Sequence, residues 1–179
     1  MGTNISNEQA DYLLKLPKKI VDKDQILDQI LIDQEFGFNK RFEMISEVDS
    51  EFTFLFEIQQ SKKNRLRLSF HHQDNESKIG LLRVDYNGGH KNPEKATDNL
   101  PEKFKPYVGK FFDNNEHHIH YYVEGYRSLA WAIPLTDDNF IIKEINEGSD
   151  FNDTFVEIIK LFASVINVKT RIEINTLLL

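Results

Sequence analysis

The six histidines of this chain all fall between residues 71 and 120. Imidazole titrates near cellular pH, and its neutral form is a common metal ligand. A cluster of them therefore offers two chemistries, proton transfer and metal binding. His118 and His120 stand two apart in residues 116–124, where apolar residues recur at every second position. Side chains two apart on a strand share a face. Tyr122 and Glu124 continue that face. Ile119, Tyr121 and Val123 mark the opposite face as core, with His117 at its upstream end. The histidine face is expected to be the more polar one, or a cleft.

His90 lies in the run Asp85-Tyr86-Asn87-Gly88-Gly89-His90-Lys91-Asn92-Pro93. The two glycines allow a tight reversal that carries His90 and Asn92 back over the sheet. With the two strands as neighbours, Asp85, Asn87, His90, His118, His120 and Glu124 converge. The first chemistry is metal-free cleavage of RNA. His118 or His120 acts as base, and the other or His90 acts as acid. Asp85 or Glu124 orients an imidazole. Arg83 or Lys91 binds phosphate, and Tyr122 can stabilise developing charge. Asn87 and Asn92 complete the binding set. The second chemistry is metal binding. His-x-His on a strand with a third His or a carboxylate holds zinc, iron or manganese. The expectation is no cofactor, with a divalent metal at His118/His120 as the alternative. His71 and His72 are expected at a strand end beside a polar turn, without function.

The elements that must position these groups follow from periodicity. Ser6 or Asn7 caps a first helix with Ala10, Leu13 and Leu14 on one stripe, stopped by Pro17. Ile26, Leu27, Ile30 and Leu31 have the spacing of a second short helix, so about residues 1–36 read as a helical N-terminal region. From residue 41 the period becomes two. Phe52, Phe54, Phe56 and Ile58 form the clearest strand, and Leu66, Leu68 and Phe70 its hairpin partner. Residues 79–87 extend this into an antiparallel meander. Residues 90–115 carry three prolines and weak periodicity, the mark of a long functional or partly disordered loop. Strands return at 116–124 and 128–133 around a turn at 125–127, and 140–142 reads as an edge strand. Phe155, Ile158, Ile159, Phe162 and Ile166 define a last helix, capped by Asp150 or Asn152 and stopped at Asn167. A final strand is expected at 168–174, with 177–179 apolar. The fold class is α+β: one domain over 1–179, with a mostly antiparallel sheet of about five to seven strands flanked by N-terminal and C-terminal helices.

Composition narrows the class. The net charge is −7 and there is no cysteine. That excludes a disulfide-stapled module, a thiolate nucleophile and a Cys-type zinc site. No apolar run approaches the roughly 20 residues of a membrane helix, and the first residues lack the basic flank and apolar stretch of a signal peptide. A cytoplasmic protein without a membrane partner is expected. The acidic balance disfavours passive wrapping around nucleic acid, yet Lys62, Lys63, Arg65 and Arg67 cluster locally on what reads as a solvated turn. It also supports a second function class: a non-enzymatic acidic interaction protein, an inhibitor or immunity component, that binds a basic protein surface. RNA or a protein are thus the candidate partners, and a homodimer is compatible with both. No phosphate-cradling glycine loop, nucleophile elbow or dinucleotide fingerprint is present.

Taken in order, Leu82-Arg83-Val84-Asp85-Tyr86-Asn87-Gly88, His90, Asn92-Pro93, His118-Ile119-His120-Tyr121, Glu124-Gly125-Tyr126 and Trp131-Ala132-Ile133-Pro134-Leu135 resemble an uncharacterised family of small bacterial proteins. The resemblance covers roughly residues 41–166. It implies a single domain, a shared site at the matched polar positions, and a toxin or phage-defence context. It implies no known reaction. The chain departs from the pattern in a longer 90–118 segment and in a more helical 21–39 region.

Overall fold

The computed structural model describes residues 5–176. Ser6 caps α1 (Asn7–Lys15) with a reciprocal capping box. Its side chain accepts from the Gln9 backbone N–H, and the Ser6 N–H donates to the Gln9 side chain. Ser6→Ala is expected to lower stability by about 1 kcal/mol, readable as a reduced midpoint in urea with an unchanged slope.

The predicted second helix is corrected. Residues 24–34 instead form β2 (Gln25–Ile26) and β3 (Gln29–Gln34), after β1 (Lys19–Asp22). The spacing of Ile26, Leu27, Ile30 and Leu31 fits a helix, but Ile30 and Ile32 face inward while Leu31 is 67% exposed. Period two and β-branched composition win here. β3 pairs in parallel with β12 (Arg171–Thr176), a partner more than a hundred residues away. The apolar 177–179 end lies outside the described residues.

The main sheet continues with β4 (Asn39–Ile45), β5 (Thr53–Gln60), β6 (Leu68–Asp74) and β7 (Gly80–Tyr86), then β10 (His118–Tyr121) and β11 (Trp131–Pro134). Between these last groups lie the short β8 (His90–Lys91) and β9 (Phe111–Phe112), which pair with each other. The main sheet has eight strands in the order β11-β10-β7-β6-β5-β4-β1-β2, every neighbour antiparallel. The expected α+β class is therefore observed, with more strands than anticipated because residues 19–26 join the sheet. Residues 140–142 form no strand: Phe140 is buried in the core and Ile141 is 74% exposed.

One face of the sheet is covered by α2 (Phe151–Val165). Phe162 stacks on Phe56 at 5.3 Å and packs against Phe70 at 5.8 Å. This Phe-rich inner face is the core, and its period-two pattern dictates that the intervening residues point to the outer face. No helix among the described residues is long and apolar enough to cross a membrane.

Candidate metal centre

Two strands that are distant in sequence but adjacent in the sheet build the site. His118 on β10 is paired with Asp85 on β7, and His120 with Arg83. All four side chains stand on the outer face, so the cross-strand register brings a carboxylate beside both imidazoles. Asp85 Oδ2 lies 3.1 Å from His120 Nε2 and 3.5 Å from His118 Nε2. Arg83 Nε lies 2.9 Å from the same carboxylate.

The outer face here is not an open cleft, as the alternation suggested. Residues 90–115 fold back over it and cover the rings, so His118 is 0% and His120 3% exposed. Phe112 on β9 packs against the His118 ring at 4.6 Å. The His90 ring sits 4.4 Å from that of His120 and 5.8 Å from that of His118. Asn92 anchors the cover. Its Nδ2 donates to the carbonyls of Tyr107 and Ala132, and its Oδ1 accepts from the Ala132 N–H. The reversal before His90 takes its left-handed residue from Asn87 (φ 53°), not from a glycine. Gly88 is required for closeness instead: a Cβ there would lie 3.1 Å from Asp85 Cβ and 3.6 Å from His118 Cε1.

Hydrogen-bond partners assign the protons. A backbone carbonyl only accepts. His120 Nδ1 lies 3.0 Å from the Leu129 carbonyl and so carries its hydrogen there. In the neutral ring this leaves a lone pair on Nε2, the atom facing Asp85. His90 Nε2 faces two acceptors, the Ala130 carbonyl and Asn92 Oδ1, and donates to them, leaving its lone pair on Nδ1. Neither ring nitrogen of His118 has a hydrogen-bond partner among the described residues, although the ring is fully buried.

Burial favours the neutral rings, whereas the hydrogen bonds that lower Asp85 are those of a donating imidazole. Burial pulls His120 below its usual range despite Asp85 beside it. Burial and the neighbouring imidazoles pull His90 down to about 4. Burial alone would raise the Asp85 carboxyl, but His118, His120 and the Arg83 charge outweigh it and hold the group well below the ordinary carboxylate range. At neutral pH Asp85 is a carboxylate beside the neutral rings of His90 and His120. A lone pair then faces a carboxylate oxygen at 3.1 Å in a buried setting.

A divalent cation would resolve that contact. One atom from each of Asp85, His118 and His120 lies within 4.8 Å of the others. Ligand atoms about 2.1 Å from a tetrahedral ion stand about 3.4 Å apart; the two Asp85–histidine distances of 3.1 and 3.5 Å bracket this spacing, within a set that spans up to 4.8 Å. The two-nitrogen, one-oxygen set suits zinc, iron(II) or manganese. Two of the three have the outer support such ligands use: Leu129 holds His120, and Arg83 holds Asp85.

The comparisons with known proteins bear on which family carries this site. The match spans residues 5–168 and takes in every residue of the cluster. The chain belongs to DUF6978. It is described as a family of unknown function. No curated protein and no solved structure matches the chain.

Of the residues singled out in this DUF6978 member, Asp85, His90, His118, His120, Arg83 and Asn92 converge. Four do not: the expected convergence is corrected for Asn87 and Glu124, and Lys91 and Tyr122, expected in binding roles, are turned to other partners. Asn87 turns its amide to the Leu66 carbonyl. Lys91 is exposed and pairs with Glu94. The Tyr122 hydroxyl donates to the Ile5 carbonyl. Glu124 is exposed and accepts from the Asn7 N–H. His117 accepts from the Asn87 N–H and packs on Tyr86. His71 and His72 lie inside β6, not at its end: His71 faces Glu57, and His72 is buried and donates to the Leu55 carbonyl. Sequence reasoning missed the Leu129 and Ala130 carbonyls, for which no side-chain signal exists. It also missed Phe112, whose segment has weak periodicity.

Proposed function

We propose that this chain is a divalent-metal protein in which Asp85, His118 and His120 hold the ion and the ion serves a hydrolytic reaction. The observation that carries the reading is His120 Nε2 set 3.1 Å from Asp85 Oδ2 while its Nδ1 faces the Leu129 carbonyl, beside a buried His118 ring whose nitrogens lack a hydrogen-bond partner among the described residues. Three protein ligands are the complement of a catalytic site, which keeps a further position for water or substrate. Asp85 lines a hollow on the outer face of the sheet together with Gly88 and Gly89, so the site has a side that substrate can approach. A bound divalent ion supplies Lewis acidity there. In hydrolysis the oxygen of water bonds to the electrophilic centre while its proton ends on the leaving group. Metal-free acid–base cleavage of RNA has less support, because it needs His118 and His120 to touch the strand and both rings are buried.

The test is elemental analysis of protein purified without a histidine tag. About one divalent ion per chain is expected. A ligand held at 100 times its Kd adds about 2.7 kcal/mol of stability, so chelation is expected to lower the melting temperature by about 5–10 °C, with recovery on adding zinc or manganese. Metal-free protein whose melting ignores chelator and added zinc, manganese and iron overturns the reading.

A further inference from the structure

The outer face of the sheet carries two polar rows that run across the strands and end at the site. In one, Asn39, Gln59, Ser69, Asp85 and His118 are successive register partners. In the next, Arg41, Glu57, His71, Arg83 and His120 are. Beyond Asp85 the cover of residues 90–115 stops, and Asn39, Gln59 and Arg83 are exposed. The rows floor a hollow of about 300 Å³, closed on one side by Arg67 and Ser61 from the β5–β6 connection and on another by Gly88 and Gly89. A second hollow of about 230 Å³ shares Gln59, Ser69 and Arg83 with it, so the two form one groove.

The lining chemistry is specific in sign. Within the larger hollow the charged side chains are Arg67, Arg83 and Asp85. Asp85 is already engaged by Arg83 and by the histidine cluster. Arg67 makes no ion pair among the described residues. A chain with net charge −7 thus places one unpaired arginine, Arg67, and a second, Arg83, shared with Asp85, beside its candidate metal ligands, while Glu57 in the smaller hollow is paired with Arg41 and His71. Guanidinium groups match phosphoryl oxygens with paired N–H donors. The Ser69 hydroxyl lies in the row between the arginines, and the Gln59 and Asn39 amides extend that row onto β5 and β4; together they offer both donors and acceptors to hydroxyl or base edges. A volume of this order accommodates a small organic ligand.

We propose that this groove binds a nucleoside phosphate ester, its phosphoryl group between Arg67 and Arg83 and directed toward Asp85. The proposal deepens the metal-hydrolase reading by naming its substrate class. It also assigns Arg67, from the basic cluster otherwise read as a solvated turn, to substrate binding.

The experiment titrates the chelated, metal-free protein with adenosine 5′-monophosphate, and in parallel with adenosine, by NMR shift perturbation or calorimetry. Saturable binding of the monophosphate, with adenosine at least about tenfold weaker, is expected. Arg67→Glu is expected to weaken monophosphate binding by at least about tenfold. Because Arg67 is an exposed side chain, this variant should keep the wild-type melting temperature. No saturable binding, equal binding of adenosine, or unchanged affinity in a folded Arg67→Glu protein each overturns the groove proposal. Since the titration uses metal-free protein, phosphate binding in a chain that never holds metal would refute the metal reading alone. A stoichiometric metal protein without phosphate binding would refute the groove alone.

Discussion

Asp85→Asn is expected to weaken divalent-ion affinity by more than about 100-fold while leaving the chelated protein no less stable than chelated wild type. Loss of an outer partner of a metal ligand costs 10- to 100-fold in affinity by itself, and Asp85 is a proposed inner ligand and the only anion of the set. The second half of the prediction is the more discriminating. Without metal, wild type keeps the Asp85 oxygen against the His120 lone pair, because Leu129 holds the ring hydrogen on the far nitrogen. An Asn amide can donate to that lone pair, which contributes about 1 kcal/mol. This offsets loss of the ion pair with Arg83, whose side chain is 45% exposed and so gains little from the pairing. A metal-free imidazolium paired with ionised Asp85 behaves in the opposite way. There, removing the buried anion costs about 3–5 kcal/mol, with no effect of chelator in either protein. Competition against a chromophoric chelator and melting in excess chelator read the two halves separately.

The strand framework was legible because it is written in a local period. Phe54, Phe56 and Ile58 alternate, Leu68 and Phe70 answer them, and the register that follows places Asp85 beside His118. The candidate cluster was therefore legible wherever sheet geometry alone decides it: Asp85, Arg83, His118 and His120. His90 was legible through the tight reversal before it, although Asn87 and not a glycine supplies the left-handed residue. What failed was tertiary. Residues 25–34 satisfy a helical spacing, but 25–26 pair with β1 and 29–34 with the distant β12. Glu124 and Tyr122 continue the histidine face in sequence, but β10 ends at Tyr121 and the chain turns away. Burial of the cluster was illegible because its lid is a proline-interrupted segment held by Asn92 and Phe112, not by any repeating pattern. That lid changes the chemistry. Open imidazoles at their ordinary pKa suit proton transfer, whereas enclosed neutral ones suit a cation.

Lys18→Met is expected to destabilise the fold by about 3 kcal/mol, far from the cluster. Nothing in the local pattern marks Lys18, yet it is 0% exposed. Its Nζ donates to the carbonyls of Leu14, Leu16 and Ile166 at 3.0, 2.8 and 3.0 Å. These are the trailing residues of α1 and the cap residue of α2, helix ends that otherwise leave carbonyls without partners. One side chain thus joins two helices that flank the sheet, beneath the Phe54 ring at 4.6 Å. Burial pulls the ammonium down to about 7, and the three acceptors oppose that pull, since the charged group has three donors and a neutral amine two. Methionine fills much of the same space and removes the desolvated charge, but it orphans the buried Leu16 and Ile166 carbonyls. Each buried unsatisfied acceptor costs about 1–3 kcal/mol, which outweighs the relief. Urea denaturation at pH 7 measures the difference. A loss below about 1 kcal/mol would mean that water replaces Nζ between the helix ends, and that hydrophobic packing of α1 and α2 holds them without the lysine.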